Sequence, residues 1–410
     1  MKLLTFSFLL ISGVTGLVQD VPSINAAIPY VPWTEGMKRK PSDFNHPGLW
    51  HSHNDLEVMR NGVLKGLDPW KSGYEQFANS SFSQSSYKMN GPYAVISRGS
   101  ISNYTSFAND ARAAYHNAIM SNCDTTGYIT KDQGHWDRST TILDAWGTNL
   151  TNIIGTDRSL LIGIEGTLFA NAAEIMRWEG GWTEVGAKWQ GGQGFSIQLY
   201  WLFLRQSLII GQANYGIASI KALMDYAVYL EDVSAYNFAL WSWKNDWCAG
   251  IDATINSKTG QNSESGRDQG HVMSGLGWLA LAARTSKTQG YDLFGYGNNL
   301  LLKGAEYAAK YNLNETVPYD SKWRRCESVL VNGPWQNISE FNRGIVQEVS
   351  GVVKKAPAVW DLLYYMSESK GLNNPWTTKA KEAYDAAGGE VVTGGDMPGF
   401  GDLLWATSGK

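Results

Sequence analysis

Apolar residues recur at every third or fourth position along most of this chain, which is the spacing of amphipathic helices. Leu160–Trp178 shows it clearly, with Leu161, Ile164 and Leu168 on one face. The same spacing predicts further helices over Asp55–Val63, Phe107–Met120, Ser139–Leu150, Ile217–Leu230, His271–Arg284, Leu300–Tyr311, Val359–Ser369 and Thr377–Ala387. Strand-like alternation is rare and no internal repeat indicates a solenoid. The pattern predicts an all-α fold, and a barrel or toroid of helical hairpins is its natural closed form at 410 residues.

The N-terminus has the pattern of a secretory signal. Lys2 supplies the positive charge, Leu3–Val14 the apolar stretch, and Val14-Thr15-Gly16 a cleavage site of small residues. The apolar stretch is too short to span a bilayer, and we expect no later segment to do so. We therefore expect a signal peptide (1–16), an irregular N-terminal arm (17–45), one barrel domain (46–390) and a short irregular C-terminal tail (391–410).

Sequons and cysteines fit a secreted glycoprotein. Five Asn-x-Ser/Thr sequons are present, at Asn79, Asn103, Asn149, Asn314 and Asn337. Cys123, Cys248 and Cys326 allow at most one disulfide, and the sequence leaves all three pairings open. With at most one disulfide, the fold must depend on a large core. We expect the protein to be extracellular and monomeric.

Charge and composition narrow the class of partner. The net charge of −4 gives no general attraction to nucleic acid or to an anionic membrane. Aromatic residues make up 12% of the chain, with 18 Trp and 20 Tyr, and aromatic faces stack on sugar rings as well as filling cores. Trp243, in a Trp-rich stretch with Trp241, Trp247 and Lys244, is our candidate for such stacking, with core packing as the alternative.

Glu264–His271 is the densest polar cluster of the chain, and it leads directly into an apolar-periodic helix. Helix N-termini present free N–H groups and positive potential, so this cluster suits an anionic ligand. Arg267 could clamp a carboxylate, or it could pair with Glu264 or Asp268 and orient His271.

Several sequence blocks occur together in an order that resembles the alginate-lyase-like family of polysaccharide lyases. They run from His46 to about Lys370. The blocks are His46-Pro47-Gly48-Leu49-Trp50-His51-Ser52, Asp55-Leu56, Pro69-Trp70-Lys71-Ser72-Gly73, Arg98-Gly99, Phe169-Ala170-Asn171-Ala172-Ala173-Glu174-Ile175-Met176-Arg177, Glu264–His271, Gln289-Gly290-Tyr291-Asp292-Leu293, Glu306-Tyr307, Lys310-Tyr311-Asn312-Leu313 and Arg343-Gly344. The chain departs from the family at Asn214-Tyr215, where Asn-Trp is expected, and around Trp360, where an Arg-Pro-x-Trp-Glu pattern is expected. The resemblance implies an α/α barrel.

The resemblance also implies β-elimination on a 1,4-linked polyuronate. Such an enzyme must neutralise the sugar carboxylate, remove the C5 proton and protonate the O4 leaving group. Mannuronate and glucuronate share the configuration at C4 and C5, with proton and leaving group on one face, so one tyrosine can serve as base and acid. We therefore expect cleavage of β-1,4-linked mannuronan or glucuronan.

The residues expected to carry this chemistry follow from the cluster and the resemblance. The catalytic candidates are Asn214 as the carboxylate clamp, His271 as part of that clamp or as the base, Arg343 as a second cation, and Tyr364, one helical turn after Trp360, as base and acid. The substrate-binding candidates are Arg267, Gln212, Tyr215, Tyr307 and Trp243, and Tyr215 and Tyr307 compete with Tyr364 for the catalytic role. Glu264 and Asp268 are expected to support His271, and His51 to hold the N-terminal segment against the barrel.

Two other functions remain open. A glycoside hydrolase would use paired carboxylates, from Glu174 with Asp268 or Glu264. A non-catalytic carbohydrate-binding protein would need aromatic surfaces alone. No cysteine–histidine spacing indicates a metal site, so we expect no cofactor, although carboxylates leave a structural calcium open.

Overall fold

The computed structural model of the protein describes residues 30–99, 102–123, 133–185, 194–323, 326, 335–349, 352–355, 357–390 and 396–407. The predicted signal peptide lies outside these ranges. The helices are α1 (His53–Leu64), α2 (Trp70–Ala78), α3 (Tyr104–Cys123), α4 (Gln133–Asn149), α5 (Arg158–Trp178), α6 (Phe195–Gln198), α7 (Arg205–Ser207), α8 (Ala213–Tyr229), α9 (Val233–Asn245), α10 (Ile251–Thr254), α11 (Gln269–Thr288), α12 (Tyr296–Asn312), α13 (Trp360–Glu368), α14 (Pro375–Ala386) and α15 (Gly401–Leu404). A π-helical segment, Leu199–Leu204, joins α6 to α7, and short 3₁₀ turns occupy Pro41–Asp43, Ser81–Ser83 and Leu293–Gly295.

Strands are few in the described part of the chain. β1 (Val95–Ser97) and β2 (Asn152–Ile154) pair in parallel, and β3 (Val346–Val349) and β4 (Val352–Lys355) form an antiparallel hairpin. The sequence does not predict this hairpin. The all-α prediction is confirmed for the bulk of the chain.

Long and short helices together form a closed ring. Helix α5 packs on α3 and α8, and α8 packs on α11. Contacts of α11 with α13, of α13 with α15, of α15 with α2, and of α1 with α2 and α3 complete the circle. Helices α4, α9, α12 and α14 lie against this ring. The arrangement is an α/α barrel, as the sequence predicts.

Helices α5, α8 and α11 run in the same direction. Tyr215 at the start of α8 bonds to Asp157 just before α5, and Arg177 at the end of α5 donates to the carbonyl of Tyr229 at the end of α8. Asn214 at the start of α8 bonds to α11, and Asp225 about three turns later accepts from Thr285 near the end of α11. The three N-termini therefore open at one end of the barrel.

Helix α5 departs from the expectation that no segment after the signal is long and apolar enough to span a bilayer. Its length of 21 residues and mean hydropathy of 1.2 would allow it to cross a bilayer, which the sequence analysis did not anticipate. However, 89% of its apolar stretch is buried inside the protein, and Leu161–Met176 are all buried. The apolar composition thus belongs to a core helix.

The described part of the C-terminal segment packs into the core, although only four of its residues are helical. Trp405 stacks on His51 with ring centroids 5.3 Å apart, and the Arg112 guanidinium donates to the carbonyls of Met397 and Pro398. Residues 396–407 include α15, whose Leu403 and Leu404 are buried. The predicted tail thus packs against the barrel, and the boundary at residue 390 stays a prediction.

Cys248 and Cys326 form a disulfide, with Cα atoms 5.0 Å apart. This selects one of the three pairings that the sequence left open. All five sequon asparagines are exposed, as glycosylation would require. Whether they are modified stays a prediction.

Candidate active site

The shared mouth of α5, α8 and α11 gathers several residues from distant parts of the sequence. The Asn214 Nδ2 amide donates to the backbone carbonyl of His271 over 3.0 Å. The adjacent Tyr215 hydroxyl donates to Asp157 Oδ1 over 2.9 Å. Because helix N-termini carry partial positive charge, this end of the barrel favours anions.

Asp268 begins α11 as its N-cap. Its Oδ1 accepts from the backbone N–H groups of Gly270 and His271, which satisfies donors that a helix start otherwise leaves unpaired. The polar run that leads into this helix is therefore explained partly by capping. Asp268 Oδ2 lies 3.6 Å from His271 Nε2, so the same carboxylate also faces the imidazole.

Glu264 and Arg267 support His271 from the other side. Glu264 is 2% exposed and accepts from the Arg267 guanidinium over 3.1 Å. His271 Nδ1 lies 3.2 Å from Arg267 Nη1 and 3.6 Å from Glu264 Oε2. The predicted supporting roles of Glu264 and Asp268 fit these contacts. Arg267 keeps 32% of its side chain exposed, so it both pairs internally and reaches solvent.

The electrostatics favour a charged His271. Glu264, and then Asp268, raise the pKa of His271 above its ordinary value of 6.5, against the lowering effects of burial and Arg267. Its side chain is 39% exposed, so the charge faces the mouth. A protonated imidazole at this position suits a carboxylate clamp better than a general base.

Tyr215 is a half-buried phenol with an acidic partner. Burial, and then Asp157, raise its pKa above the ordinary 10.0, whereas Arg98 and Arg267 oppose the rise. The phenol therefore holds its proton in the unliganded protein. It is suited to proton transfer because it sits between a carboxylate that accepts its hydrogen and two cations that stabilise a phenolate.

Arg98 and Glu165 form an ion pair beside the site, and neither is among the predicted site residues. Arg98 follows β1, its guanidinium lies 3.4 Å from Glu165 Oε1, and it stacks 4.8 Å from the Tyr104 ring. Burial raises the pKa of Glu165 to about 7. Arg98 appeared in the sequence only within the Arg98-Gly99 block, whereas no sequence signal marks Asp157 or Glu165.

A strap of residues 339–344 crosses the start of α11. The N–H of Gln269 donates to the Phe341 carbonyl over 3.0 Å, and Asn342 Nδ2 donates to Asp268 Oδ1 over 3.0 Å. Arg343 follows directly, but its Nε donates to the Tyr311 carbonyl and its guanidinium lies 4.0 Å over the Tyr311 ring. Arg343 is thus close to the cluster, with its head group held against Tyr311.

Comparison with solved structures identifies proteins of similar architecture. No protein-family model and no curated protein matches the sequence. A variant of alginate lyase A1-III, with one histidine replaced by alanine and complexed with a tetrasaccharide, superimposes with a TM-score of 0.55 at 13% identity, covering 93% of this chain and 99% of its own. The chain has an alginate-lyase-like fold. The crystal structure of alginate lyase A1-III from Sphingomonas species A1 aligns at a TM-score of 0.48 and 12% identity, covering 72% of this chain and 86% of its own.

Within this alginate-lyase-like fold, the predicted tyrosine lies elsewhere. Tyr364, on α13, has its ring 5.1 Å from that of Tyr365 and lies 5.8 Å from the Lys381 ammonium. None of its described contacts reaches Asn214 or His271. Tyr364 does follow Trp360 by one helical turn. However, Trp360 is fully buried, so a residue on the same side of α13 does not face the mouth. Tyr215 takes its place as the tyrosine beside the clamp.

Two further substrate-binding predictions are wrong because the side chains are committed to the core. Trp243 is fully buried and its indole N–H donates to the Leu279 carbonyl over 3.1 Å. Tyr307 is 6% exposed and its hydroxyl donates to the Pro318 carbonyl. Gln212 lies at the N-cap of α8, half-buried next to the site.

His51 behaves as expected from its sequence block. It is 1% exposed, bonds to the Tyr115 hydroxyl at 2.7 Å and stacks on Trp405. Burial lowers its pKa to about 3, so it stays neutral. It fixes the N-terminal segment to the barrel and takes no part in the mouth. Among the residues that the structure describes, no group of three or more His, Cys, Asp or Glu side chains could hold a metal ion.

Proposed function

We propose that the protein is a polysaccharide lyase that cleaves a 1,4-linked polyuronate by β-elimination at the mouth of α5, α8 and α11. The observation that carries this proposal is the direct contact between the starts of α8 and α11, which places Asn214, Tyr215 and His271 together on an alginate-lyase-like fold. A tetrasaccharide is bound in the related alginate lyase A1-III structure.

The clamp in this proposal consists of the cations at the mouth. Protonated His271 and Arg267 face the C6 carboxylate, with Arg98 and the Asn214 amide beside them. Neutralising this carboxylate acidifies the C5 proton, because the negative charge that develops at C5 then delocalises into a paired group. The raised pKa of His271 keeps this charge available up to a higher pH than a free histidine would.

Proton transfer is assigned to Tyr215. Its phenolic hydrogen passes to Asp157 or to solvent, and the phenolate, stabilised by Arg98 and Arg267, takes the C5 proton. The C5–H electron pair becomes the C4–C5 double bond, and the O4 leaving group departs with the proton that Tyr215 returns. One tyrosine beside one clamp suits elimination in which proton and leaving group share a face, so we propose β-1,4-linked mannuronan or glucuronan as substrate.

The carboxylates predicted for a glycoside hydrolase do not lie close together. Glu174 lies 17 positions after Asp157 along α5, or about 25 Å from the mouth, where it binds His46 and the Gly48 N–H. Glu264 is committed to Arg267. Glu174 therefore lies far from both of its predicted partners, whereas paired catalytic carboxylates in glycosidases lie about 5–10 Å apart.

Ultraviolet absorbance tests the proposal. The purified protein is incubated with mannuronan, glucuronan, guluronan and a neutral glycan, and absorbance and reducing ends are followed together. A lyase raises both on mannuronan or glucuronan, since each cleavage creates a double bond conjugated to the carboxylate. Reducing ends without absorbance, or turnover of the neutral glycan alone, would identify a hydrolase instead.

We further propose that the protein acts outside the cell as a glycosylated monomer. The N-terminal signal pattern and five exposed sequon asparagines support this. Expression in a secreting eukaryotic host, with glycosidase treatment of the medium, tests it by a shift in apparent mass, and size-exclusion chromatography with light scattering reports the oligomeric state.

A further inference from the structure

Two large aromatic side chains near the mouth extend into solvent. Trp247 is 77% exposed and Phe341 is 65% exposed. Of the described aromatic rings, only that of Tyr30, at 94%, is more exposed than these two.

Trp247 lies beside the start of α8. It follows the end of α9, and the carbonyl of the next residue, Cys248, accepts from the backbone N–H of Ala213 over 3.2 Å. Ala213 precedes Asn214. The indole is therefore anchored, through one residue of backbone, to the α8 side of the clamp.

Phe341 lies beside the start of α11. Its carbonyl accepts from the N–H of Gln269, and its neighbour Asn342 bonds to the Asp268 cap. These bonds are made by the Phe341 carbonyl and the Asn342 side chain, so the Phe341 ring takes no part in them. Since Asn214 bonds to His271, one continuous line of contacts runs from Cys248, next to Trp247, through the clamp to Phe341.

We propose that Trp247 and Phe341 are sugar-stacking subsites that hold the polyuronate chain on the two sides of the cleaved linkage. This inference rests on the proposed function. Sugar rings present C–H faces to aromatic rings, and their carboxylates need cations. The site would present an exposed ring, then the cations His271 and Arg267, then a second exposed ring. This order matches a polymer that alternates apolar sugar faces with acidic groups. An acidic polysaccharide is therefore favoured over a neutral one.

The test uses the full chain with Trp247→Ala, Phe341→Ala and the double variant. KM is measured on long polyuronate and on short oligosaccharides. Each single change should raise KM for the polymer about three- to tenfold, as loss of one aromatic stacking contact predicts, with a greater rise in the double variant. Trp247→Tyr and Phe341→Tyr should restore most of the affinity. Trp201→Ala is the matched control, since Trp201 is 49% exposed on the π-helical segment and stacks on Arg205.

The failure of this inference can be told apart from failure of the lyase proposal. Binding of uncleaved polyuronate is measured in parallel by affinity electrophoresis. If no polyuronate yields an unsaturated product but the alanine variants weaken binding, the subsites stand and the lyase proposal falls. If the protein is an active lyase and KM and binding in the alanine variants match the Trp201→Ala control, the subsites are refuted.

Discussion

The Asn214 amide donates to the main-chain carbonyl of His271, so the two helices that form the proposed clamp are joined at their first turns. Asn214 is 6% exposed, which makes this bond a nearly dry one. This one side chain thus holds the backbone of His271 against the start of α8. Fold and proposed chemistry are coupled at this contact.

Asn214→Ala should reduce both stability and activity. The His271 carbonyl loses its side-chain donor, so the free energy of unfolding should fall by about 1–3 kcal/mol. Catalysis should fall about a hundredfold as the clamp loses its geometry. Denaturant unfolding and the absorbance assay measure the two effects. Asn245→Ala removes a similar amide–carbonyl bond from the exposed face of α9 and should leave activity unchanged; equal losses in both variants would argue against a role for Asn214 in the site.

Tyr215→Phe should greatly slow elimination while the protein stays folded. The variant keeps the ring but removes the hydroxyl that donates to Asp157, so kcat should fall about 10²–10⁴-fold. Tyr364→Phe is the comparison, because Tyr364 contacts Tyr365 and Lys381 instead of the clamp. Near-normal kcat in Tyr215→Phe, with a loss in Tyr364→Phe, would restore the tyrosine that helical spacing from Trp360 predicted.

The pH profile should report on His271 and Tyr215 together. The reaction needs the imidazolium, which is lost as pH rises through a pKa above 6.5, and the phenolate, which forms as pH rises toward a pKa above 10.0. The product of the two fractions rises up to the His271 pKa, stays level between the two values and falls above the Tyr215 pKa. In His271→Gln only the phenolate is needed, so kcat/KM should be lower but should climb through the neutral range. An unchanged profile in His271→Gln would show that His271 does not act by its charge.

The sequence predicts those parts of the site that are local. Asp268, Glu264 and Arg267 lie within one stretch that begins a helix, so capping and short-range pairing place them around His271 regardless of the rest of the fold. The barrel class also follows from sequence, since the period of apolar positions sets helix number and length. These predictions depend on neighbours within a turn or two.

Contacts between distant segments could not be predicted in this way. Tyr215 meets Asp157 across 58 positions, and only the packing of α8 on α5 brings them together. Trp243 and Trp247 are four positions apart, yet one is fully buried and the other 77% exposed, because α9 ends between them at Asn245. A tryptophan-rich stretch does not reveal which ring faces the core.

Glu264→Gln should shift the acidic side of the pH profile. The Glu264 carboxylate is the largest cause of the raised His271 pKa, so its removal lowers that pKa, and the rising limb should end at a lower pH on a lower plateau. The loss of a charged partner for Arg267 should also cost about 1.5–3 kcal/mol of stability. Histidine titration by NMR and the pH–rate profile measure the shift. Glu340→Gln is the control, since Glu340 is 80% exposed and pairs with Arg343 at the surface; the same shift in both variants would contradict the role of Glu264.

The Cys248–Cys326 disulfide should support the site as well as the fold. It closes a segment with a sequence separation of 78, and Cys248 contributes the carbonyl that accepts from Ala213 next to Asn214. Cys248→Ser with Cys326→Ser should lower the free energy of unfolding by about 2–4 kcal/mol. It should also reduce kcat/KM about tenfold or more through misplacement of the α8 start. Unfolding and activity are measured with and without reductant, and the unmodified protein in reductant should match the double variant. If stability falls but the folded fraction keeps full activity, the disulfide supports only the fold, and other contacts hold the start of α8 in place.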